Sequence, residues 1–420
     1  MFLDCRLCHQ TVMCGCHING MQADASIDVV CFNGSSSPMR IAVVTETYPP
    51  DINGVAHTLS KTVEGLKARG HALWLIRPRQ NNDTVPAGRS LADETLVRGM
   101  PIPFYKHLKM GFPAKRALTR LWTLHRPDVV HIATEGPLGW SALQAAKKLK
   151  LPVSSDFRTN FHAYSDHYGI GWLRGAIMNY MRKFHNAALA TMVPTPVLAH
   201  ELAAVGFERL HVVPRGVDTD LFNPMRRSPA LRAQWGASDE TLVLLCVGRL
   251  AAEKNLSVVV SAFERLARVN THVKLVLVGD GPLKQSLQKN HPQVVFAGFR
   301  TGEDLAQHYA SADMFLFPSL TETFGNVTLE AMSSALPVVA YRHAAAAELI
   351  RPGENGQLIE AGDQDAFERA AVQLAEMHTL RAQMGQEARI TALGQAWPLI
   401  FQKTEKIFRQ VIQDHAPQLD

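Results

Sequence analysis

From Ile41 onward, short and almost wholly apolar runs alternate with amphipathic stretches, and this alternation limits the fold more than any other feature of the 420 residues. The runs fall at 41–45, 72–76, 128–133, 153–156, 190–194 and 211–214, then at 242–248, 273–279, 294–298, 314–318 and 337–340. Strands without an inside–outside alternation are buried on both faces, as in a parallel sheet covered by helices. The first intervening stretch shows the helical period: Val55, Leu59, Val63 and Leu66 share a face, and Gly70 ends it. The expected fold class is α/β, two doubly wound parallel-sheet domains in series. The expected divisions are a first domain over 39–214, a second over 215–395, and a helix over 396–420 that packs back towards the first.

Residues 1–38 are expected to be an extension with no part in the fold, or a mis-assigned start. Cys5, Cys8, Cys14, Cys16 and Cys31 crowd this segment beside His9 and His17. The group superficially resembles a zinc site, but nothing around it looks like a folded finger, and 33–38 reads as linker. The segment also lacks the sustained apolar core of a secretory signal. Only Cys246 lies beyond it, which points to a reducing, cytoplasmic compartment.

Charge is divided unevenly. Residues 40–215 carry 23 Lys+Arg against 12 Asp+Glu, whereas 216–420 carry 19 against 23. The excess concentrates in Arg98, Lys106, Lys109, Lys115, Arg116, Arg120 and Arg126, interleaved with Phe104, Tyr105, Met110, Phe112 and Trp122. A second acid-free run places Arg174, Arg182 and Lys183 beside Trp172 and Met178. Basic residues mixed with large apolar ones suit an anionic bilayer surface, at about 1 kcal/mol per engaged cation. No stretch reaches the roughly 18 apolar residues of a membrane span. The expectation is a peripheral protein on the inner face of the cytoplasmic membrane. No nucleic-acid module accompanies the charge.

The chemistry-bearing residues cluster at strand ends in the second half, where ligands of open parallel sheets collect. Gly248, Arg249 and Lys254 follow one strand, and two cations at that spacing could converge on a diphosphate. Gly279 and Gly281 follow the next, where glycine lets backbone approach a ligand. Phe299 follows the third. After the fourth come Glu322 and Glu330, flanking Phe324, Gly325, Asn326 and Val327, which are expected to form a helix's first turn. Free amides and the positive dipole end attract an anion there, while carboxylates accept hydrogen bonds from sugar hydroxyls.

In order and together, residues 46–55, 215–222, 247–255, 278–282 and the paired-Glu segment resemble the retaining glycosyltransferase family 4, whose members have the GT-B fold. The resemblance implies a nucleotide-sugar donor held by the second domain. Arg249 and Lys254 would neutralise the diphosphate, Glu322 would hold hexose hydroxyls, and Glu330 the ribose. Backbone at 324–327 would cradle the sugar phosphate, and Gly54 would approach from across the cleft. It further implies transfer of a hexose from UDP or GDP to a membrane lipid or lipid-linked acceptor as an α-glycoside, with no cofactor and no metal. Asp218 and Asp220 satisfy an Asp-x-Asp pattern but belong to an interdomain loop.

The sequence departs from the family in two places. Arg158 stands where relatives commonly have a His that contacts the donor sugar, and His162 comes four residues later. An arginine cannot act as a neutral acceptor or base, so either Arg158 binds an anionic group or His162 replaces the missing His. Residues 342–347 also lack the Gly-Gly pair of many relatives. Transfer to a soluble acceptor and a GT-B sugar-nucleotide epimerase are the alternatives; a nucleotide-binding oxidoreductase is disfavoured because no Gly-x-Gly-x-x-Gly follows either first strand.

Overall fold

The structure, a computed structural model, describes residues 37–51, 53–80, 90–91, 93–102, 105–158, 174–322 and 324–416. The N-terminal cysteine group, Trp172 and His162 lie outside the described residues.

The first sheet contains β1 (Arg40–Val44), β2 (Ala72–Pro78), β3 (Ser90–Leu91), β4 (Glu94–Val97), β7 (Val129–Ile132), β8 (Val153–Asp156), β9 (Ala190–Val193) and β10 (Leu210–Val212). Its order is β10-β9-β8-β7-β1-β2-β4-β3, parallel throughout except at β3–β4. Between them, β5 (Gly99–Ile102) and β6 (Tyr105–Gly111) form a separate antiparallel ribbon. The second sheet contains β11 (Leu242–Val247), β12 (Val273–Val278), β13 (Val295–Gly298), β14 (Met314–Phe317), β15 (Val338–Tyr341) and β16 (Gly356–Ile359). It is wholly parallel, in the order β13-β12-β11-β14-β15-β16.

Alternate residues of a strand face opposite sides, and both faces of each sheet are core. In β1, Ile41 and Val43 join one apolar cluster while Ala42 and Val44 join another. In β11, Val243, Leu245 and Val247 face one way, and Leu242, Leu244 and Cys246 the other. This two-sided burial explains the unalternated runs.

Helix α1 (Gly54–Ala68) is capped by Asn53, whose side-chain oxygen accepts from the amides of Val55 and Ala56 at 3.1 and 2.9 Å. Of its expected apolar stripe, Leu59, Val63 and Leu66 are buried and Val55 is half-buried. Gly70 lies in the left-handed region at φ +89 just past its end. The last helix, Trp397–His415, places Trp397, Ile400, Ile407, Phe408 and Val411 in the same cluster as Ile41 and Val43. It lies so close to α1 that a Cβ at Gly65 would fall 2.1 Å from the Phe401 ring. The two passages between the sheets run side by side, with the Val217 amide donating to Gln395 O at 3.0 Å and the Trp397 amide to Val217 O at 3.2 Å.

The basic stretch differs from its expected form. Trp122 is 1% exposed and sits in the core against Leu138 and Ile132, so it cannot meet a bilayer. Exposed there are Phe112 and Leu124, with Lys115, Arg116 and Arg120 on the helix Lys115–Leu124 and Arg126 just beyond it. Among the described residues, no helix is long and apolar enough to cross a membrane.

Candidate active site

In the second sheet, successive connections run outward one way from β11 to β13 and the other way from β14 to β16. Connections at this switch point leave for opposite faces, so a crevice opens outside the carboxyl ends of β11 and β14.

From β11 the chain enters a loop and a short 3₁₀ turn, Ala252–Lys254, that ends at left-handed Asn255. From β14 it runs through Ser319 and Glu322 to Gly325. Lys254 Nζ and Glu322 Oε1 are ion-paired across the crevice, and both side chains are largely buried. Ser319 Oγ donates to the same Glu322 oxygen at 3.0 Å, and the ammonium lies 5.5 Å from the centre of the Phe317 ring. The Leu320 amide donates to Glu253 O at 3.0 Å, tying the two loops together.

The helix Asn326–Ser333 opens beside this pair. Its N-cap is Gly325, at φ +87, which has no side chain to satisfy the first amides. The expected first turn therefore begins two residues late. Phe324 precedes the helix and is buried, because its ring packs in the core and its carbonyl accepts from the Ala345 amide at 2.8 Å. Glu330, farther along the helix, accepts from the buried Tyr309 hydroxyl at 2.9 Å. Burial raises its carboxyl to about 7 against that hydrogen bond, so it changes charge near neutral pH.

Gly279 and Gly281 have a different role from the one expected. A Cβ at Gly279 would lie 1.9 Å from Gly248 O, and one at Gly281 would lie 2.4 Å from Leu250 O. These glycines let the loops after β11 and β12 pack backbone on backbone, with the Leu250 amide donating to Asp280 O at 2.9 Å. Arg249 is not drawn in: its side chain is 68% exposed, with Glu253 at 4.0 Å. Phe299 is also exposed, at 73%. The crevice thus brings together Lys254, Glu322 and the 325–327 backbone, with Glu330 behind them and Arg249 and Phe299 outside.

Two residues that face this group were not singled out as site residues in the sequence. His343 Nε2 accepts from the Glu322 amide at 3.2 Å. It lies two residues past the end of β15, so its position near a strand end was the available signal. Arg215, on the passage between the sheets, is 5% exposed; its Nη1 lies 3.4 Å from Asn326 Oδ1 and its Cζ 5.5 Å from the centre of the Phe324 ring. A Cβ at Gly54 would lie 2.7 Å from that Nη1, so the glycine at the start of α1 makes room for Arg215. Burial lowers Arg215 to about 10; neighbouring Arg158 adds to the fall, and Glu322 and Asp156 oppose it.

Arg158 Nε donates to Asp156 Oδ2 at 2.6 Å, and His131 Nε2 lies 3.5 Å from the same oxygen. Burial opposes ionisation of Asp156, yet Arg158 and His131 hold its carboxyl well below the usual range. Asp218 caps a local turn, accepting from the Leu221 amide at 2.9 Å. Among the described residues no group of three or more His, Cys, Asp or Glu is placed to hold a metal ion.

Two family descriptions match the chain, Glycosyltransferase Family 4 over residues 52–221 and Glycosyl transferases group 1 over residues 241–377. A GDP-mannose-dependent alpha-mannosyltransferase of Mycobacterium tuberculosis is 35% identical over 369 residues, which are 86% of this chain and 94% of the relative. An alpha-monoglucosyldiacylglycerol synthase of Streptococcus pneumoniae is 28% identical, over 72% of this chain and 71% of the relative. The solved structure of sucrose-phosphate synthase from Thermosynechococcus elongatus matches with a TM-score of 0.68 at 18% identity, covering 90% of this chain and 100% of that one. The two parallel-sheet domains therefore have the GT-B fold, and the chain belongs to glycosyltransferase family 4.

Proposed function

We propose that this glycosyltransferase moves a hexose from a UDP- or GDP-hexose to a membrane lipid or lipid-linked acceptor, with retention, at the inner face of the cytoplasmic membrane. The observation that carries this reading is the Lys254–Glu322 pair beside the uncapped start of the Asn326–Ser333 helix. An ammonium and free amides suit a diphosphate, and a carboxylate a step away suits sugar hydroxyls. To reach phosphate oxygens, Lys254 exchanges its carboxylate partner for them, which frees Glu322 to receive hydroxyl donors.

The anomeric C–O bond to the diphosphate breaks, and the nucleoside diphosphate departs with the electron pair. The acceptor's hydroxyl oxygen bonds to the same carbon from the same face, and its proton passes to the departing phosphate oxygen. Lys254, with Arg249 brought in from the loop, stabilises the charge that grows on the leaving group. Glu322 orients the hexose and is not a nucleophile. Glu330 accepts from the ribose, and no metal is assigned a role.

The names of the relatives support a hexosyl donor and a lipid acceptor: one is named for GDP-mannose and mannosyl transfer, the other for a glucosylated diacylglycerol. Exposed Lys115, Arg116 and Arg120 beside Phe112 and Leu124, and Arg182 and Lys183 beside Ile177 and Tyr180, support a bilayer surface.

The test incubates UDP- and GDP-hexoses with anionic vesicles containing diacylglycerol and follows free nucleotide and glycolipid. Release of UDP or GDP together with glycolipid, dependent on the vesicles and unaffected by chelator, is expected. Interconversion of donor sugars without acceptor would replace transfer with epimerisation, and full activity on a water-soluble acceptor without vesicle binding would remove the membrane.

A further inference from the structure

Two deeply buried arginines of this chain have very different surroundings. Arg232 donates from Nη1 to Ser311 O at 2.8 Å and Asp313 Oδ2 at 3.1 Å, and from Nη2 to Ser238 O at 2.7 Å and Thr241 O at 2.6 Å. A carboxylate and three carbonyls answer its charge, so it is a structural cation. Arg215, on the passage between the sheets, is 5% exposed and has no such set. Among the described residues its one side-chain hydrogen bond runs from Nη1 to the neutral amide oxygen of Asn326 at 3.4 Å, no carboxylate pairs with it, and its buried Nε has no partner. Burying a guanidinium in this way is costly.

The guanidinium is wedged between two helix starts. On one side, a Cβ at Gly54, the first residue of α1, would lie 2.7 Å from Nη1 and 3.4 Å from Nη2. On the other, Nη1 meets the first residue of the Asn326–Ser333 helix, and Cζ stands 5.5 Å from the centre of the Phe324 ring. Neither helix has an acidic residue in its first turn, so a buried cation faces the positive end of both. The first amides of α1 are answered by Asn53, whereas those of the second helix have no side-chain cap. An anion received at Asn326 would answer the buried guanidinium and the uncapped amides together.

We propose that Arg215 is a ligand of the leaving group, donating to the β-phosphate of the nucleotide sugar, and that Asn326 Oδ1 stands in for a phosphate oxygen until the donor binds. The proposal rests on the nucleotide-sugar reading above. That reading sets Glu330 against the ribose and Glu322 against the hexose. A Cβ at Gly325, the residue before Asn326, would lie 3.6 Å from Glu322 Cγ, so the phosphate received at Asn326 is the one joined to the hexose. As the anomeric C–O bond breaks and its electron pair stays on that phosphate, the guanidinium stabilises the growing charge and transfers no proton. Arg249 must swing in from solvent to reach the same group, whereas Arg215 is already seated, in the room that Gly54 leaves.

The experiment titrates UDP, UMP, GDP and GMP into the wild type, Arg215→Gln and Arg215→Lys by calorimetry, and records thermal melts of the nucleotide-free proteins. For the base that binds, Arg215→Gln is expected to raise the diphosphate Kd about tenfold or more and the monophosphate Kd less than about threefold. Arg215→Lys, which keeps the charge, retains part of the diphosphate affinity. Removing a buried cation that no carboxylate answers leaves the melting temperature unchanged or raises it. Equal loss of diphosphate and monophosphate, or unaltered binding of both, overturns the proposal and leaves the nucleotide-sugar reading intact. A melting temperature lowered by several degrees in both variants makes Arg215 a structural cation like Arg232 and likewise overturns it. A wild type that binds neither UDP nor GDP removes the donor reading, and the proposal with it.

Discussion

Both domains bring a helix start to the switch point of a parallel sheet, and they treat it in opposite ways. In the first, β1 and β7 flank the switch, and the helix Pro137–Lys148 starts there. Glu46, just past β1, accepts from the Leu138 amide at 2.8 Å and also from the Gly111 amide, and a Cβ at Gly136 would lie 2.4 Å from its carboxylate. The anion that this helix start attracts is part of the chain. In the second domain Gly325 stands at the equivalent place and no side chain caps the helix. The same architecture is thus sealed in one half and available to a ligand in the other, and one carboxylate makes the difference.

Lys254→Ala should separate the halves most strongly. Loss of one cation aimed at the leaving group costs roughly 10²–10³ in turnover, with circular dichroism unchanged; wild-type turnover would remove Lys254 from the chemistry. Next in size is Glu46→Ala, which leaves buried amides unanswered at the sealed site and should cost about 1–3 kcal/mol of stability in denaturant unfolding. If it left stability unaltered, Glu46 would not be the internal anion described.

Glu330 gives a pH test of the open half. Burial raises its carboxyl to about 7 from the ordinary 4.5. Between those values the folded state binds more protons than the unfolded, so stability should fall as pH rises through that window and then level off. The slope should amount to roughly 1–3 kcal/mol in total, and Glu330→Gln should flatten it in melts from pH 5 to 8. Ribose hydroxyls prefer the ionised acceptor, so nucleotide binding near pH 7 should release a proton, seen as buffer-dependent heat. The smallest effect concerns the loop that carries His343. Ala344 sits at φ +47, a region costly for any residue with a Cβ. Ala344→Gly should therefore stabilise the protein by up to about 1 kcal/mol, and a lower melting temperature would contradict the strain.

The long central strands were legible because burial on both faces leaves unbroken apolar runs, as in Leu242–Val247. The short or polar ones, Glu94–Val97, the ribbon of β5 and β6, and Gly356–Ile359, carry no such run and were not visible. Lys254 and Glu322 could be set at strand ends of one crevice from position alone, but not their ion pair, which needs the two loops side by side. Arg215 could not, because its partners Asn326 and Gly54 are far away in sequence and meet it only when the two domains face each other. Gly279 and Gly281, expected to let backbone approach a ligand, are places where the neighbouring loop's backbone comes close. Trp122 stood among exposed cations in sequence, and only the helix it sits on turns it inward.

A crystal structure with UDP or GDP bound tests the contrast most directly. The diphosphate should lie within hydrogen-bond distance of the Asn326 and Val327 amides and of Lys254 Nζ, with the Lys254–Glu322 pair opened and Glu46 undisturbed. A diphosphate seated instead at the start of the Pro137–Lys148 helix, or one that leaves the Lys254–Glu322 pair closed, would contradict the assignment of an open and a sealed half.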